Sequence, residues 1–175
     1  MKLPVAFLYG LGLLGLDVSS KNWAQQHLQR QDIEVIPNFF KLSLVRNYGI
    51  AFGLFDDSKG ASRLQLALLV LVAVVALIVV VAYVLRSPPG ASVTQWGLGF
   101  LMGGILGNMT DRLLHAGVVD FLEFNLYWFK FPTFNVADTG ITLGVALLLL
   151  ESFAEREVLR ESGAGGGVTS GDRPT

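Results

Sequence analysis

No cysteine occurs anywhere in this chain. Disulfides, thiolate metal sites, cysteine nucleophiles and S-acylation are excluded together. Charge is scarce as well: 15% of residues are Asp, Glu, Lys or Arg, against about 25% in an average soluble domain. The net charge of -1 leaves no basic surface to hold phosphate, so nucleic acid is not an expected partner. The two histidines, His27 and His115, lie far apart in no metal-ligand spacing, and no HExxH block occurs. Neither a metal nor another cofactor is expected.

What the chain has instead is apolar sequence in long runs. Of its 175 residues, 52% are hydrophobic, and the length fits one domain. Residues 64–85 form 22 positions without a formal charge, Gly or Pro. As a helix they are about 33 Å long, enough to cross a hydrocarbon core of about 30 Å. Ser62 is placed to cap this helix, which reads as a lipid-facing anchor. The first apolar run, 3–16, is about 21 Å long and too short to cross alone. To span, it must continue to about Trp23, which takes Asp17 inside the membrane and leaves Lys21 near the surface. No A-x-A cleavage site precedes Asp17, so an uncleaved span is expected.

A third span covers about 92–112 and carries Gly99, Gly103 and Gly107 at i, i+4, i+8, a row that lets another helix approach closely in a bilayer. The fourth, about 134–151, is short unless it begins before Asp138, so this carboxylate also lies at membrane depth. Gly140 and Gly144 repeat the small-residue pattern. The expected architecture is an all-α polytopic membrane protein: four transmembrane helices (about 3–23, 64–85, 92–112, 134–151) within one domain, 1–155. Residues 156–175, rich in Gly towards the end, read as a disordered tail. β-branched and aromatic residues at about 31–56, with a turn signal at 56–60, predict a short sheet resting on the membrane. Seven aromatics between Asp120 and Asp138 predict an interfacial belt.

Orientation does not follow from charge. With four spans, the side holding both termini has five Lys/Arg and the other eight. Lys21, Arg46 and Arg112 are assigned to a polar cluster, which weakens that count as a signal.

Alternate crossing gathers Asp17, Asp111, Asp120 and Asp138 at one face. Ionisable groups at membrane depth cost roughly 2.5–3.5 kcal/mol each, which makes them functional candidates. Asn108, Asp111 and Arg112 share one helical face. Asp111 reads as half of a structural Asp–Arg pair closing the helix end. For Asn108 and Arg112, a structural role and contact with substrate or lipid headgroup both stay open. Asp120 and Asp138 have no basic partner nearby in sequence. If they meet, like charges in a dry site share one proton. One carboxylate then accepts a proton from water while the other donates to a scissile carbonyl oxygen, the arrangement of an aspartic peptidase. A proton or cation path using the same aspartates is the rival.

Five blocks carry a resemblance: Asp17-Val18-Ser19-Ser20-Lys21, Asn47-Tyr48-Gly49-Ile50-Ala51-Phe52, the GGILGNMTDR stretch ending at Arg112, Val119-Asp120-Phe121, and Phe134-Asn135-Val136-Ala137-Asp138. In this order, over residues 5–150, they resemble the lipoprotein signal peptidases (signal peptidase II). Val18 departs from a more usual Gln, and Thr110 from a usually apolar position. The resemblance implies four transmembrane helices, cytoplasmic termini, an extracytoplasmic β-cradle and an interfacial loop or helix over the site, in the bacterial plasma membrane. It implies a membrane aspartic endopeptidase that cuts diacylglyceryl-modified prolipoproteins before the lipidated cysteine, with globomycin-type cyclic peptides as inhibitors. By motif, Asp120 and Asp138 are the catalytic pair. Asn47, Asn108, Arg112 and Asn135 line the site or support substrate, and Asp17 and Lys21 are structural. The expected partners are substrate and membrane lipid, and the expected state is a monomer.

Other chemistries fit less well. Ser20 and Lys21 are adjacent on a helix and do not face each other. No GxGD block precedes Asp138. The alternative from another class, a proton- or ion-coupled transport subunit, predicts broken helices, midplane charges and an internal repeat.

Overall fold

Each long apolar run folds as a helix, and polar caps set where two of them begin. The computed structural model describes residues 4–49, 62–87 and 92–165. Among these, α1 spans Val5–His27, α2 Arg63–Arg86, α3 Val93–His115 and α4 Val136–Gly165. Ser62 accepts the Gln65 N–H at the start of α2, as its position predicts, and Ser92 accepts that of Gln95 in α3. At α1, Gln95 reaches across from α3 and accepts the free Ala6 N–H in the first turn.

Two helices are long and apolar enough to cross a membrane by length and composition: α2, with mean hydropathy 3.4, and Val136–Ala154 of α4, with 1.6. α1 and α3 have 23 residues each but carry polar side chains. α2 keeps only Val80 and Val84 buried, the exposure expected of an anchor facing lipid. α4 extends to Gly165, so the first part of the expected tail, 156–165, is helical. The helix formers Glu, Arg and Leu that follow Glu151 continue it past the apolar run. Residues 166–175 and the connection 88–91 lie outside the described residues.

α3 lies between α1 and α4, and consecutive glycines serve the two contacts. A methyl on Gly103 would lie 2.5 Å from Gly10 O of α1; one on Gly104 would lie 2.5 Å from Ala137 O of α4. The row Gly99, Gly103, Gly107 faces α1, as its spacing predicts, while Gly97 and Gly104 face α4.

The sheet has three antiparallel strands in the order β1 (Ile33–Ile36), β2 (Phe40–Asn47), β3 (Val118–Phe124). Two fall within the expected region; its remainder from residue 50, and the turn signal at 56–60, lie outside the described residues. The third strand corrects the sequence reading, which gave 121–134 wholly to an interfacial segment. Val118, Val119 and Phe124 supply β-branched and aromatic residues that pair with β2, and the register sets Asp120 opposite Val45 and Val118 opposite Asn47. The following loop folds back, with Leu122 and Phe134 exchanging backbone hydrogen bonds of 2.9 and 3.1 Å. Phe124 stacks on Phe40 at 4.6 Å. Only the tip exposes its aromatics, Trp128 by 91%. Thus the aromatic density divides between sheet packing and an exposed tip of interfacial composition.

Candidate active site

The nine polar residues singled out in the sequence meet in one hydrogen-bonded network where α1, α3, α4 and the sheet converge. Asp120 is delivered by β3 and is 2% exposed. Its Oδ1 accepts Asn135 Nδ2 at 2.6 Å, and its Oδ2 accepts Asn47 Nδ2 at 3.0 Å from the adjacent strand. Gly49 N donates to Asn47 Oδ1 at 2.9 Å, which orients that amide.

Asp138 sits in the first turn of α4. Asn135 and Asp138 form a reciprocal cap: Asp138 N donates to Asn135 Oδ1 at 2.9 Å, and Asn135 N donates to Asp138 Oδ2 at 3.3 Å. This is the capping-box geometry with Asn and Asp in place of Ser and Glu. The other oxygen, Oδ1, accepts Asn108 Nδ2 at 2.7 Å. Asn135 therefore touches both carboxylates, and helix capping fixes its position relative to each.

Behind this pair stands a buried cation. Lys21, 2% exposed, holds Asp17 Oδ2 at 2.7 Å, Asp111 Oδ2 at 3.0 Å and Asn108 Oδ1 at 3.0 Å. Its three protons match three acceptors. Lys21 is thus enclosed by protein rather than exposed, its long stem folded back to Asp17 one helical turn away. The expected Asp111–Arg112 pair is corrected. Neighbouring side chains on a helix diverge, and Asp111 turns to Lys21 and accepts Val119 N at 3.1 Å. Asp17 Oδ1 accepts Ala137 N at 2.8 Å, so α1 also helps cap α4. Arg112 donates to Asn108 O at 3.2 Å and Gly49 O at 3.1 Å. Arg46, by contrast, lies outside the cluster and reaches His115 O at 3.3 Å. Of the two departures from the pattern it resembles, Val18 is exposed, and Thr110 donates to Leu106 O within its own helix.

Asp120 and Asp138 line one cavity of about 250 Å³, together with Asn47, Asn108 and Arg112. Its other walls are apolar, and one is the face of α2 that carries Leu69, Val72, Ala73 and Ala76. Burial, with the charge of Asp138 added, pushes the Asp120 carboxyl up to about 7; the Asn47 and Asn135 amides pull the other way. The site thus holds a carboxyl able to carry a proton near neutral pH beside a second carboxyl, with amide donors fixing both.

Sequence reasoning found these residues but missed how they are held. The Asn135-x-x-Asp138 spacing ahead of an apolar run is a cap signal that points to α4 beginning here. The Lys21–Asp111 contact, between separate helices, leaves no such local mark.

Comparisons with known proteins bear on the chain as a whole. The model of a family described as signal peptidase (SPase) II matches residues 10–154. A lipoprotein signal peptidase of Yersinia enterocolitica is 36% identical over 139 residues, 79% of this chain and 80% of that protein. One of Yersinia pestis is 37% identical over the same shares. Two solved structures described as bacterial membrane enzymes share the fold. One has a TM-score of 0.74 at 24% identity, covering 95% of this chain and 94% of that one. The other has a TM-score of 0.71 at 27% identity, covering 84% and 91%.

Proposed function

This chain belongs to the signal peptidase II family of bacterial membrane proteases, and from that premise we propose an aspartic mechanism built on Asp120 and Asp138. The substrate is a diacylglyceryl-modified prolipoprotein, cut just before the lipidated cysteine. One carboxylate of the pair takes a proton from water, and the oxygen attacks the scissile carbonyl. The other, protonated, donates to the carbonyl oxygen, and the collapse of the tetrahedral species returns a proton to the leaving amine. Asn135, Asn108 and Asn47 hold the carboxylates in place; Arg112 lines the cavity beside the substrate. Asp17, Lys21 and Asp111 brace the helix junction.

The observation that carries this reading is the joint one: a buried carboxyl, Asp120, and a half-buried one, Asp138, bridged by Asn135 in a cavity closed on one side by an apolar, lipid-facing helix. A substrate whose signal helix and lipid chains both lie in the bilayer requires lateral entry of this kind. α1 and α3, each about 35 Å long at 23 residues, cross along with α2 and α4. Residues 1–155 act as a single embedded domain with cytoplasmic termini and the site near the extracytoplasmic face of the plasma membrane. The protein works as a monomer, binds membrane lipid and is blocked by globomycin-type cyclic peptides.

Cleavage of a diacylglyceryl-modified lipobox peptide tests this, with wild type beside Asp120→Asn and Asp138→Asn. Lipid-dependent cleavage by wild type is expected, with a loss of at least about 10²–10⁴-fold in each variant. Robust cleavage by either variant removes that residue from the pair.

A further inference from the structure

A second cavity, of about 320 Å³, lies towards the other end of the helices. It is bounded by the same three helices as the cavity of the aspartates, and the two align along common faces. On α2, Leu69, Val72 and Ala76 line the first cavity, and Val79, Val80 and Tyr83 line the second. These fall three or four residues apart, on one stripe. On α3, Arg112, Asn108 and Ile105 lead to Leu101, Leu98 and Thr94 in the same way. On α4, Asp138 and Ile141 lead to Leu148 and Glu151. The two cavities thus lie in line along one apolar track of side chains on α2, α3 and α4, with Leu101 and Ile105 packed against the core between them.

The far end is acidic. Glu151 is half-buried in the second cavity and accepts a hydrogen bond from Thr94 Oγ1 of α3. Among the described residues, no Lys or Arg lies within ion-pair distance of it. Its position is thus fixed by α3 while its charge is left for another partner.

We propose that this track seats the apolar helix of the substrate's signal peptide, and that Glu151 binds the Lys or Arg of its basic N-terminal region. The inference rests on the peptidase reading above and adds to it a specificity-determining residue remote from the chemistry. Length and charge both support it. Asp138 and Glu151 are thirteen residues apart on α4, about 20 Å. A signal peptide has an apolar stretch of about 7–15 residues between its basic start and its cleavage site. With the scissile bond at Asp120 and Asp138, a helical stretch of about 13 residues, in the upper part of that range, brings the basic group to Glu151, where the charges are complementary.

The experiment pairs two diacylglyceryl-modified signal peptides, one with Lys in the N-terminal region and one with Gln in its place. Each is tested with wild type, Glu151→Gln, Glu151→Asp and Thr94→Val. Wild type is expected to favour the basic substrate by about five-fold in kcat/KM, carried by KM, as befits a partly exposed ion pair. Glu151→Gln brings the ratio towards one, whereas Glu151→Asp and Thr94→Val keep most of it. Glu151→Lys inverts the preference when the substrate carries Glu. Equal handling of both substrates by wild type overturns the proposal and uses no variant whose folding is at issue. So does a Glu151→Gln defect of the same size on both, which assigns the residue to helix packing. If wild type cuts neither peptide, the peptidase reading itself fails, a result distinct from cleavage without preference.

Discussion

Asn135 donates its side-chain amide to Asp120 at 2.6 Å and, through its carbonyl oxygen, accepts the backbone N–H of Asp138. One side chain thus sets the spacing of two carboxylates carried by different elements, a strand and a helix. Replacing it removes a helix cap and an orienting donor at once. Asn135→Ala should lose about 1 kcal/mol of stability through the cap and about 10²-fold in cleavage through the misplaced pair. Thermal unfolding in detergent and kcat on a lipidated peptide separate the two effects. Unchanged kcat removes the bridging role.

The pH profile follows from the buried carboxyl of β3. Burial raises Asp120 to about 7, so the proton that the proposed mechanism needs for its general acid is held below that pH and lost above it. For a coupled pair the value belongs to the dyad as a whole. The kcat/KM of wild type should fall by about tenfold per pH unit once pH exceeds roughly 7, with loss of one proton. A profile flat to pH 9 argues that no proton of this pair takes part.

Lys21 pairs with two buried carboxylates, Asp17 and Asp111. Lys21→Met leaves both without their cation and should cost about 3–5 kcal/mol. Adding Asp17→Asn removes one of the orphaned charges and should recover part of that loss. Thermal melts of the single and double variants measure it; a double variant no more stable than the single one contradicts the pairing.

Close packing at α3 gives a contrast between two glycines. A side chain at Gly104 meets Ala137 O at 2.5 Å, next to Asp138, whereas Gly12 has nothing within 4 Å. Gly104→Val should destabilise by at least about 1–3 kcal/mol and lower activity by shifting the start of α4. Gly12→Ala should be near neutral. Equal melting temperatures for the two would count against the close α3–α4 approach.

Much of this architecture is legible along the chain because bilayer-length apolar runs are local signals. The run 64–85 gave α2 within a residue or two at each end. The glycine row of α3 pointed to a close helix contact, found on α1. The site residues were named through five short blocks in order, and all nine lie in one network. What escaped depends on distant partners. β3 needs β2, more than 70 residues earlier, to become a strand, and its aromatics alone read as interfacial. Asp111 was given the neighbour in its own helix, Arg112, because nothing local reveals that Lys21 arrives from α1. The continuation of α4 to Gly165 was missed because hydropathy ends at Glu151 while helix propensity does not.

The bond from Asp17 to the Ala137 N–H joins positions 120 residues apart, so the first helix made is also the clasp for the last. A nascent chain that has made α1, α2 and α3 holds Asp17 and Lys21 ready but lacks Asp138 altogether. On the proposed mechanism such a chain holds at most one carboxyl of the pair, and the second arrives when the final helix docks.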